Sequence, residues 1–416
     1  MTRTARYATF TSASLWPIAH SASRRLRVAL LLTVSLLTMA TVGCNMNGSQ
    51  ASNTQTTTPP PPPPVGNVAP NQLPITVSAG PGSNVEMNRP FASVTICGGT
   101  TTCQTINNVL VDTGSSGLRL FSSLITIPLA TQPTLNGMVY ECIPFENTYA
   151  WGPVVNADVH LSGEVASNAS IQLIGDTTLA APAACANGLS PMSTPQQSGV
   201  NGILGILGLT DCGSTCTTGA YNQYWACADS ACQALQAPPQ PVGNPVSLFP
   251  TDNNGIVFDM PGISSAGAVN VQGSIYFGIG TQSNNQLGSA VQYQQPFLTQ
   301  INGNSYFVGI DSGTPWLGVL NDGVFGLPLC GSVYCPPSPV NFTYEIVGTN
   351  GATFNANLTA ADPTAAQQAG MTADQTIMGA GPGGNTIMLG FPFFYNMKLF
   401  FSWANPATGS TNYVAF

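Results

Sequence analysis

The sequence predicts an all-β protein made of two lobes. From Leu73 onward, short runs rich in Val, Ile, Phe and Tyr are interrupted by Gly, Pro and Asn about every eight to twelve residues, which is typical of all-β domains. The 416 residues exceed one ordinary domain and suffice for two lobes of about 150 to 200 residues, each with its own core. A coarse duplication of motifs between the two halves also favours two lobes.

Six segments carry the strongest strand pattern, and helical periodicity is scarce. The predicted strands cover residues 108–111, 159–161, 255–258, 274–277, 306–310 and 397–403. Residues 360–373 are the best candidate for a short helix. The predicted fold therefore rests on strands.

The N-terminal region has the pattern of a secretory signal. Arg24, Arg25 and Arg27 precede the apolar run 28–40, which is shorter than the roughly 20 residues that a membrane-spanning helix needs. Residues 1–43 are therefore predicted to be a signal peptide. Cys44 follows a small residue, as in a bacterial lipobox, which predicts that Cys44 is acylated. Ordinary cleavage nearby, with a free product, is the alternative.

Residues 44–74 are predicted to be the lipid anchor and a linker. They lack apolar periodicity, and the unbroken proline run 59–64 forms an extended, semi-rigid spacer. Such a spacer would hold the folded lobes away from a membrane. We therefore expect an exported protein that is anchored by its N-terminal lipid to the cell envelope, at the outer membrane, or that is secreted.

Charged residues are few, and most of them are acidic. They make up 6% of the chain, and after residue 43 the basic residues are Arg89, Arg119 and Lys398 against sixteen acidic residues, a formal net charge of −13. A surface of this sign repels nucleic acid phosphates and anionic lipid faces. Nucleic acid is therefore excluded as a partner.

Ten cysteines follow Cys44, an even number that predicts up to five disulfides in an exported chain. Local pairing gives Cys97–Cys103, Cys212–Cys216, Cys227–Cys232 and Cys330–Cys335, and leaves Cys142 for Cys185. The four cysteines between residues 212 and 232 could also pair crosswise. A metal site is the competing interpretation, but nearby histidines are lacking.

The duplication consists of two motifs that occur once in each half. An apolar run ends in Asp112-Thr113-Gly114-Ser115 in the first half and in Asp311-Ser312-Gly313-Thr314 in the second. Further along, two apolar residues precede Gly205 in the first half and Gly390 in the second. A single motif of this kind is weak evidence, but the repeated pair is a strong signal.

Two aspartates held together can hydrolyse a peptide bond without a metal or a covalent nucleophile. At a separation of about 3 Å the two carboxyls cannot both ionise, so they share one proton and can act as base and acid. Asp112 and Asp311 are the predicted catalytic pair. Gly114 and Gly313 permit tight turns, and the neighbouring hydroxyl groups can donate hydrogen bonds that orient the carboxylates. These hydroxyls belong to Thr113, Ser115, Ser312 and Thr314.

These motifs resemble those of the pepsin-like aspartic peptidases. Residues 112–118 match the first catalytic motif of that family, and residues 311–314 match the second. Residues 201–206 and 389–390 are similar to the segments that pack behind the two aspartates. The similarity covers about residues 75–416 and extends to a group of proteobacterial lipoproteins. It implies a bilobal acid protease fold, two β-barrel-like lobes with a central cleft, which we assign to residues 75–245 and 246–416.

The resemblance also implies a β-hairpin flap that carries a Tyr over the cleft. Tyr149 is the flap candidate, and Trp151 is an equal rival. Arg119 departs from the family, which usually has at this position a Trp that supports the flap Tyr. Arg119 is therefore a candidate for an ion pair across the cleft or for binding an acidic substrate group. A surface Arg on a strand is the alternative.

Other chemistries find little support in the sequence. Beyond the signal segment the one histidine is His160, which disfavours Ser-His-Asp hydrolases and most metal sites. No cofactor and no metal are expected. The predicted function is an aspartic endopeptidase, a monomer that cleaves peptide or protein substrates at acid pH. The rival function is a surface lipoprotein that uses the same fold to bind a partner without turnover.

Overall fold

The computed structural model describes most of the chain after residue 67. The described residues are 68–82, 86–99, 102–145, 147–208, 210–212, 223–229, 231–321, 325–381, 384–404 and 411–416. The predicted signal peptide, Cys44 and the linker as far as residue 67 lie outside them. Within the described part, strands predominate and helices are short, which confirms the predicted all-β class.

The strands in chain order are β1 Gln72–Val77, β2 Pro90–Gly98, β3 Thr102–Asp112, β4 Ser116–Phe121, β5 Ala130–Thr131, β6 Pro133–Thr134, β7 Gly137–Phe145, β8 Thr148–Leu161, β9 Glu164–Ile174, β10 Ser190–Pro191, β11 Gly202–Ile206, β12 Tyr224–Ala228, β13 Ala231–Leu235, β14 Gly255–Asp259, β15 Val271–Phe277, β16 Gln292–Gln294, β17 Phe297–Ile301, β18 Asn304–Ile310, β19 Leu317–Asn321, β20 Leu329–Cys330, β21 Val333–Tyr334, β22 Val340–Val347, β23 Thr353–Ala360, β24 Met378–Gly381, β25 Thr386–Leu389, β26 Lys398–Ser402 and β27 Tyr413–Ala415.

The helices among the described residues are short. The α-helices are α1 Ala183–Ala186, α2 Pro195–Ser198 and α3 Thr364–Gln368, and the 3₁₀ turns are Ser122–Leu124, Pro245–Leu248 and Phe391–Phe394. The helix α3 lies within the stretch 360–373 for which a helix was predicted. It is only five residues long, since it begins directly after Pro363 and ends before Gly370, which has a φ of +70°.

Two burial patterns distinguish the strands. In β17 and β23 nearly every second residue is buried, as expected of strands that have one face on the core. In β4 and β11 every residue is buried. β11 lies between β3 and β4, and β4 also pairs with β9, so these two strands are interior strands of their sheet.

The larger sheet contains an antiparallel platform that is built from both ends of the described chain. Its order is β16–β27–β26–β14–β15–β1, and β1 also pairs with β2. The second sheet comprises β17 to β25. The sheets therefore do not divide at the predicted lobe boundary 245/246, because β14–β16, β26 and β27 all join the first sheet. The lobe boundary itself stays a prediction.

The predicted duplication is visible in the strand order. β11 runs parallel to β3 and antiparallel to β4, and β25 runs parallel to β18 and antiparallel to β19. Each of these inserted strands is followed by a backbone hydrogen bond to the neighbouring Asp-containing loop. The N–H of Leu207 donates to Ser115 O at 2.8 Å, and the N–H of Phe391 donates to Thr314 O at 2.7 Å. The two halves therefore hold their loops in the same way.

Aromatic residues fill the core behind the second loop. Phe258 of the platform contacts Phe394 edge to face, with ring centroids 5.0 Å apart, and also lies against Phe391 and Phe401. Phe391 and Phe394 are fully buried. Burial of each such side chain stabilises the fold by about 1.5–3 kcal/mol. The turn that follows β25 is thereby fixed to the platform.

Four of the predicted disulfides are present among the described residues. They are Cys97–Cys103, Cys142–Cys185, Cys227–Cys232 and Cys330–Cys335. Cys212 is also disulfide-bonded, while its predicted partner Cys216 lies outside the described residues. Because Cys227 pairs with Cys232, the crosswise alternative is excluded. Disulfides persist in oxidising compartments, and together with the fold they indicate an extracellular protein.

The three basic residues of the described chain have different surroundings. Arg89 forms an ion pair with Glu86. Lys398 is exposed at the start of β26, and its ammonium group lies 5.8 Å from the ring centroids of Tyr276 and Phe400. Arg119 has no exposed surface. The accessible positive charge of the described surface is therefore very small.

Candidate active site

The two predicted catalytic aspartates occupy equivalent positions at strand ends. Asp112 is the last residue of β3, and Asp311 directly follows β18. The N–H of Gly114 donates to Asp112 Oδ1 at 2.7 Å, and the hydroxyl of Ser115 donates to Oδ2 at 2.5 Å. Two donors therefore fix the orientation of the Asp112 carboxyl within its own loop.

The second loop repeats this arrangement around Asp311. The N–H of Gly313 donates to Asp311 Oδ1 at 2.8 Å, and the hydroxyl of Thr314 donates to Oδ2 at 2.7 Å. The residue types Gly and Ser/Thr at the second and third positions after each Asp supply the same two donors. The glycine N–H groups and the Ser115 and Thr314 hydroxyls thus orient the two carboxyls by hydrogen bonds, as the sequence motifs predict.

Thr113 and Ser312 connect the two loops through four hydrogen bonds. The N–H of Thr113 donates to Ser312 Oγ at 3.0 Å, and the N–H of Ser312 donates to Thr113 Oγ1 at 2.9 Å. Each hydroxyl then donates to a carbonyl of the opposite strand, Thr113 to Ile310 at 3.2 Å and Ser312 to Val111 at 2.8 Å. The loops of the two sheets are therefore joined directly next to the aspartates.

The two carboxyls face each other closely. A Cβ atom placed on Gly114 would lie 2.6 Å from Asp311 Cγ, and one placed on Gly313 would lie 2.6 Å from Asp112 Oδ1. Any side chain at either glycine would collide with the carboxyl of the opposite loop. The convergence predicted for Asp112 and Asp311 is thus what the structure contains, and it requires glycine at both positions.

The electrostatics of the pair favour a shared proton. Burial raises the pKa of Asp311 well above its ordinary value, and the charge of Asp112 and a hydrogen bond to its carboxyl raise it further. Hydrogen bonds from Thr314 and Gly313 oppose this shift only in part. One carboxyl of the pair can therefore stay protonated while the other is ionised, which provides an acid and a base at one site.

Arg119 does not lie where a substrate could reach it. Its side chain is fully buried, and its guanidinium contacts Glu141 at 2.8 Å and Asp211 at 2.9 Å. Both acids belong to the same half of the chain as Arg119. The expectation of a substrate-cleft residue, of an ion pair across the cleft or of a surface Arg is therefore wrong, because the charge is neutralised in the interior of one lobe.

The two flap candidates lie in β8, the second strand of the hairpin that β7 and β8 form. Trp151 is 5% exposed, its indole donates to Leu179 O at 2.9 Å, and its ring packs 5.2 Å from that of Tyr140. Trp151 is thus a core residue of the hairpin rather than an exposed flap side chain. Tyr149 is partly buried near the hairpin tip, and its role as a flap residue stays a prediction.

The sequence interpretation missed the acids that surround Arg119. Glu141 and Asp211 lie 22 and 92 residues from Arg119 in the chain. The available signal was Arg119 itself, because a charged residue inside the otherwise apolar strand β4 needs a buried partner. Which acids supply it depends on long-range strand pairing.

The described residues contain no group of three or more His, Cys, Asp or Glu side chains arranged to hold a metal ion. His160 lies in β8 opposite Thr95 of β2 and is partly exposed. In the described part of the chain, no helix has the length and apolar character required to cross a bilayer.

Comparisons with known proteins agree with the fold. Residues 67–416 match a family model described as Protein of unknown function (DUF3443). No protein with a curated description matches the chain. Among solved structures, the chain is similar to the crystal structure of an aspartic proteinase from Irpex lacteus, with a TM-score of 0.52 and 16% identity, covering 83% of this chain and 96% of that chain. At this identity the likeness concerns the fold alone, which is all-β, bilobal and pepsin-like.

Proposed function

We propose that this chain, which belongs to the family described as Protein of unknown function (DUF3443), is an aspartic endopeptidase. The observation that carries the proposal is the pair Asp112 and Asp311, whose carboxyls face each other and are held by matching donors. A surface that only binds a partner has no need of two carboxyls held in this arrangement. Peptide or protein chains are the proposed substrates.

In the proposed reaction, one water molecule lies between the two carboxyls. The ionised carboxyl takes a proton from the water, and the oxygen of the water attacks the carbonyl carbon of the substrate peptide bond. The protonated carboxyl donates its proton to the carbonyl oxygen of that bond. The C–N bond of the resulting tetrahedral intermediate then breaks as the carboxyl that took the water proton donates it to the amine nitrogen. A hydroxyl proton of the intermediate passes to the other carboxyl, which restores the starting state of the pair. Because burial and the charge of Asp112 raise the pKa of Asp311, we infer that the pair holds one proton jointly in the resting enzyme.

The test is hydrolysis of denatured proteins between pH 2 and 7 by the purified protein and by two variants. Asp112→Asn and Asp311→Asn each remove one member of the acid–base pair, so we expect activity to fall by about 10²–10⁴-fold. Asp229→Asn is the matched control, since Asp229 lies exposed in a turn and Asn tolerates its positive φ of 52°. Activity that survives both dyad substitutions would exclude the mechanism, and binding without any turnover would favour the non-catalytic module.

We also propose that the protein is exported and held at the cell envelope by a lipid on Cys44, and that it acts as a monomer. The proposal is supported by the signal pattern before Cys44 and by the proline spacer after it. In cells, Cys44→Ala should shift the protein from the detergent phase to the aqueous phase on partitioning. An unchanged detergent-phase fraction would contradict acylation at this residue.

A further inference from the structure

All five N–H groups of the Arg119 guanidinium have acceptors. Nε donates to Gln172 Oε1 at 3.1 Å, and Nη2 donates to the carboxylates of Glu141 and Asp211. Nη1 donates to the backbone carbonyls of Ser116 at 2.7 Å and Gly117 at 3.4 Å. The rigid planar fork of an arginine suits several fixed acceptors at once, which a lysine cannot replace.

The carbonyls that Arg119 binds belong to the loop that carries Asp112. Ser116 and Gly117 directly follow Ser115, whose hydroxyl holds the Asp112 carboxyl. Gly117 has a φ of +101°, and a Cβ atom at this position would lie 3.3 Å from Arg119 Nη1. The guanidinium is therefore packed beneath the turn, and a shift of Arg119 would be transmitted through Ser116 to the orientation of Asp112.

The acids that hold Arg119 come from two further elements. Glu141 lies in β7, and its Oε1 also accepts a hydrogen bond from Gln223. Asp211 follows β11 and accepts from the hydroxyl of Tyr224 in β12, at 2.8 and 3.0 Å. The network thus ties the catalytic loop to the β7–β8 hairpin and to the strand inserted beside Asp112.

The same guanidinium reaches the tip of the hairpin. Its Cζ lies 5.7 Å from the ring centroid of Phe145, the last residue of β7, at a distance suited to a cation–π contact. The hairpin tip and the catalytic loop therefore rest on one buried cation.

We propose that Arg119, held by Glu141 and Asp211, is a positioning residue that sets the orientation of Asp112 through the carbonyls of Ser116 and Gly117. This inference rests on the proposed peptidase function. The hydrogen bonds of Arg119 go to other groups than the two dyad carboxyls, so its effect passes through the loop backbone. A displacement of Asp112 by about 1 Å relative to Asp311 is enough to reduce turnover by about 10²-fold.

Arg119, Glu141 and Asp211 form a cluster in which the carboxyls outnumber the cation. One guanidinium faces two buried carboxyls, and Glu141 Oε2 accepts no hydrogen bond among the described residues. Burial and the neighbouring Glu141 raise the pKa of Asp211 well above its ordinary value, against the lowering effect of Arg119. One carboxylate is enough to balance the charge of the guanidinium, so the loss of one acid should disturb Arg119 less than the loss of both.

The first experiment compares Arg119→Lys with the matched control Arg89→Lys, which alters an Arg paired with Glu86 away from this network. Activity is measured well below the unfolding temperature of each variant. We expect Arg119→Lys to lower kcat by about 10–100-fold with KM changed less than about threefold, and to alter the pH profile of kcat. A merely structural role would lower the unfolding temperature and leave kcat and its pH profile unchanged, which would overturn the proposal.

A second readout separates this proposal from the proposed function. The carboxyl carbons of Asp112 and Asp311 are followed by ¹³C NMR during a pH titration, with assignment through the Asn variants. Because Lys keeps the positive charge, a change in the titration midpoints in Arg119→Lys reports a changed geometry. If Arg119→Lys changes the titration midpoints of the two aspartates but the protein has no peptidase activity, the positioning role holds and the proposed function is rejected. If the protein is active and Arg119→Lys changes neither the midpoints nor kcat, the positioning role is rejected.

A third set of variants serves if Arg119→Lys does not fold. Glu141→Gln and Asp211→Asn each leave one carboxylate for Arg119, so each should lower kcat less than Arg119→Lys does. The double variant leaves the guanidinium without a carboxylate, and we expect it to lose kcat by about 10–100-fold, as Arg119→Lys does. A folded double variant with unchanged kcat would overturn the proposal.

Discussion

Thr113 and Ser312 each use one hydroxyl group twice, as an acceptor for the opposite N–H and as a donor to the opposite carbonyl. Ser312 is completely buried and Thr113 nearly so, at 3% exposed. No water is needed to satisfy these groups, because each loop supplies the partners of the other. The relative position of the two aspartates is thereby fixed at the scale of single atoms.

Replacement of Thr113 by Val should break this connection without changing the side-chain shape. The N–H of Ser312 would lose its acceptor in a buried site, so we expect a loss of about 1–3 kcal/mol in the free energy of unfolding. Urea denaturation measures the loss. Thr113→Ser keeps the hydroxyl and is the control. Equal stability of the Val and Ser variants would contradict the role assigned to these hydrogen bonds.

The residues of the site differ in how far the sequence could predict them. Asp112, Asp311 and their donors follow from local motifs, since each carboxyl is held by residues two and three positions further along the chain. The environment of Arg119 does not, because its acids are distant in sequence. The apolar neighbours of Arg119 in β4 indicate a buried charge, but they do not show which acids pair with it.

At the scale of secondary structure, the elements that adjoin the dyad were the most predictable. The apolar pairs before Gly205 and Gly390 marked segments similar to those that pack behind the aspartates. The strands β11 and β25 lie there, each parallel to the strand that precedes an aspartate. A Cβ atom at Gly205 would come within 2.8 Å of the Ser115 backbone, which explains the glycine. The sequence pattern here reports a close approach between two backbones.

The platform could not be predicted in the same way. β1 pairs with β15, and the paired residues of these two strands are about 200 positions apart in the chain. No local sequence pattern specifies such a pairing. The same limit applies to the β7–β8 hairpin. A flap hairpin was implied by the resemblance, but the inward orientation of Trp151 depends on packing against Tyr140 and on an acceptor at Leu179.

At the scale of the whole molecule, buried acids make stability depend on pH. The folded pKa values of Asp211 and Asp311 are raised, so the folded chain binds protons at these sites more strongly than the unfolded chain. Their contribution to stability is complete below the ordinary carboxyl value of about 3.9 and is lost as pH rises through the raised values. Asp362 acts in the opposite direction, since hydrogen bonds from Thr364 lower its pKa, but it is fully exposed.

We therefore expect the unfolding temperature to be higher near pH 4 than near pH 7, as measured by calorimetry. The growing negative charge of the acidic surface acts in the same direction, because mutual repulsion destabilises the compact state. Asp211→Asn should flatten part of this dependence, while Asp229→Asn should not. An unfolding temperature that rises steadily from pH 4 to pH 7 would contradict the prediction.

The scarcity of accessible cations has a consequence for survival among other peptidases. Enzymes that cut after Lys or Arg would find few usable bonds in the folded lobes: Arg89 precedes a proline, Arg119 is enclosed, and Lys398 begins a strand in the middle of the platform. Cleavage at such positions requires the chain to open first. Outside the cell, we therefore expect the folded protein to be degraded by such peptidases more slowly than proteins with many exposed Lys and Arg residues.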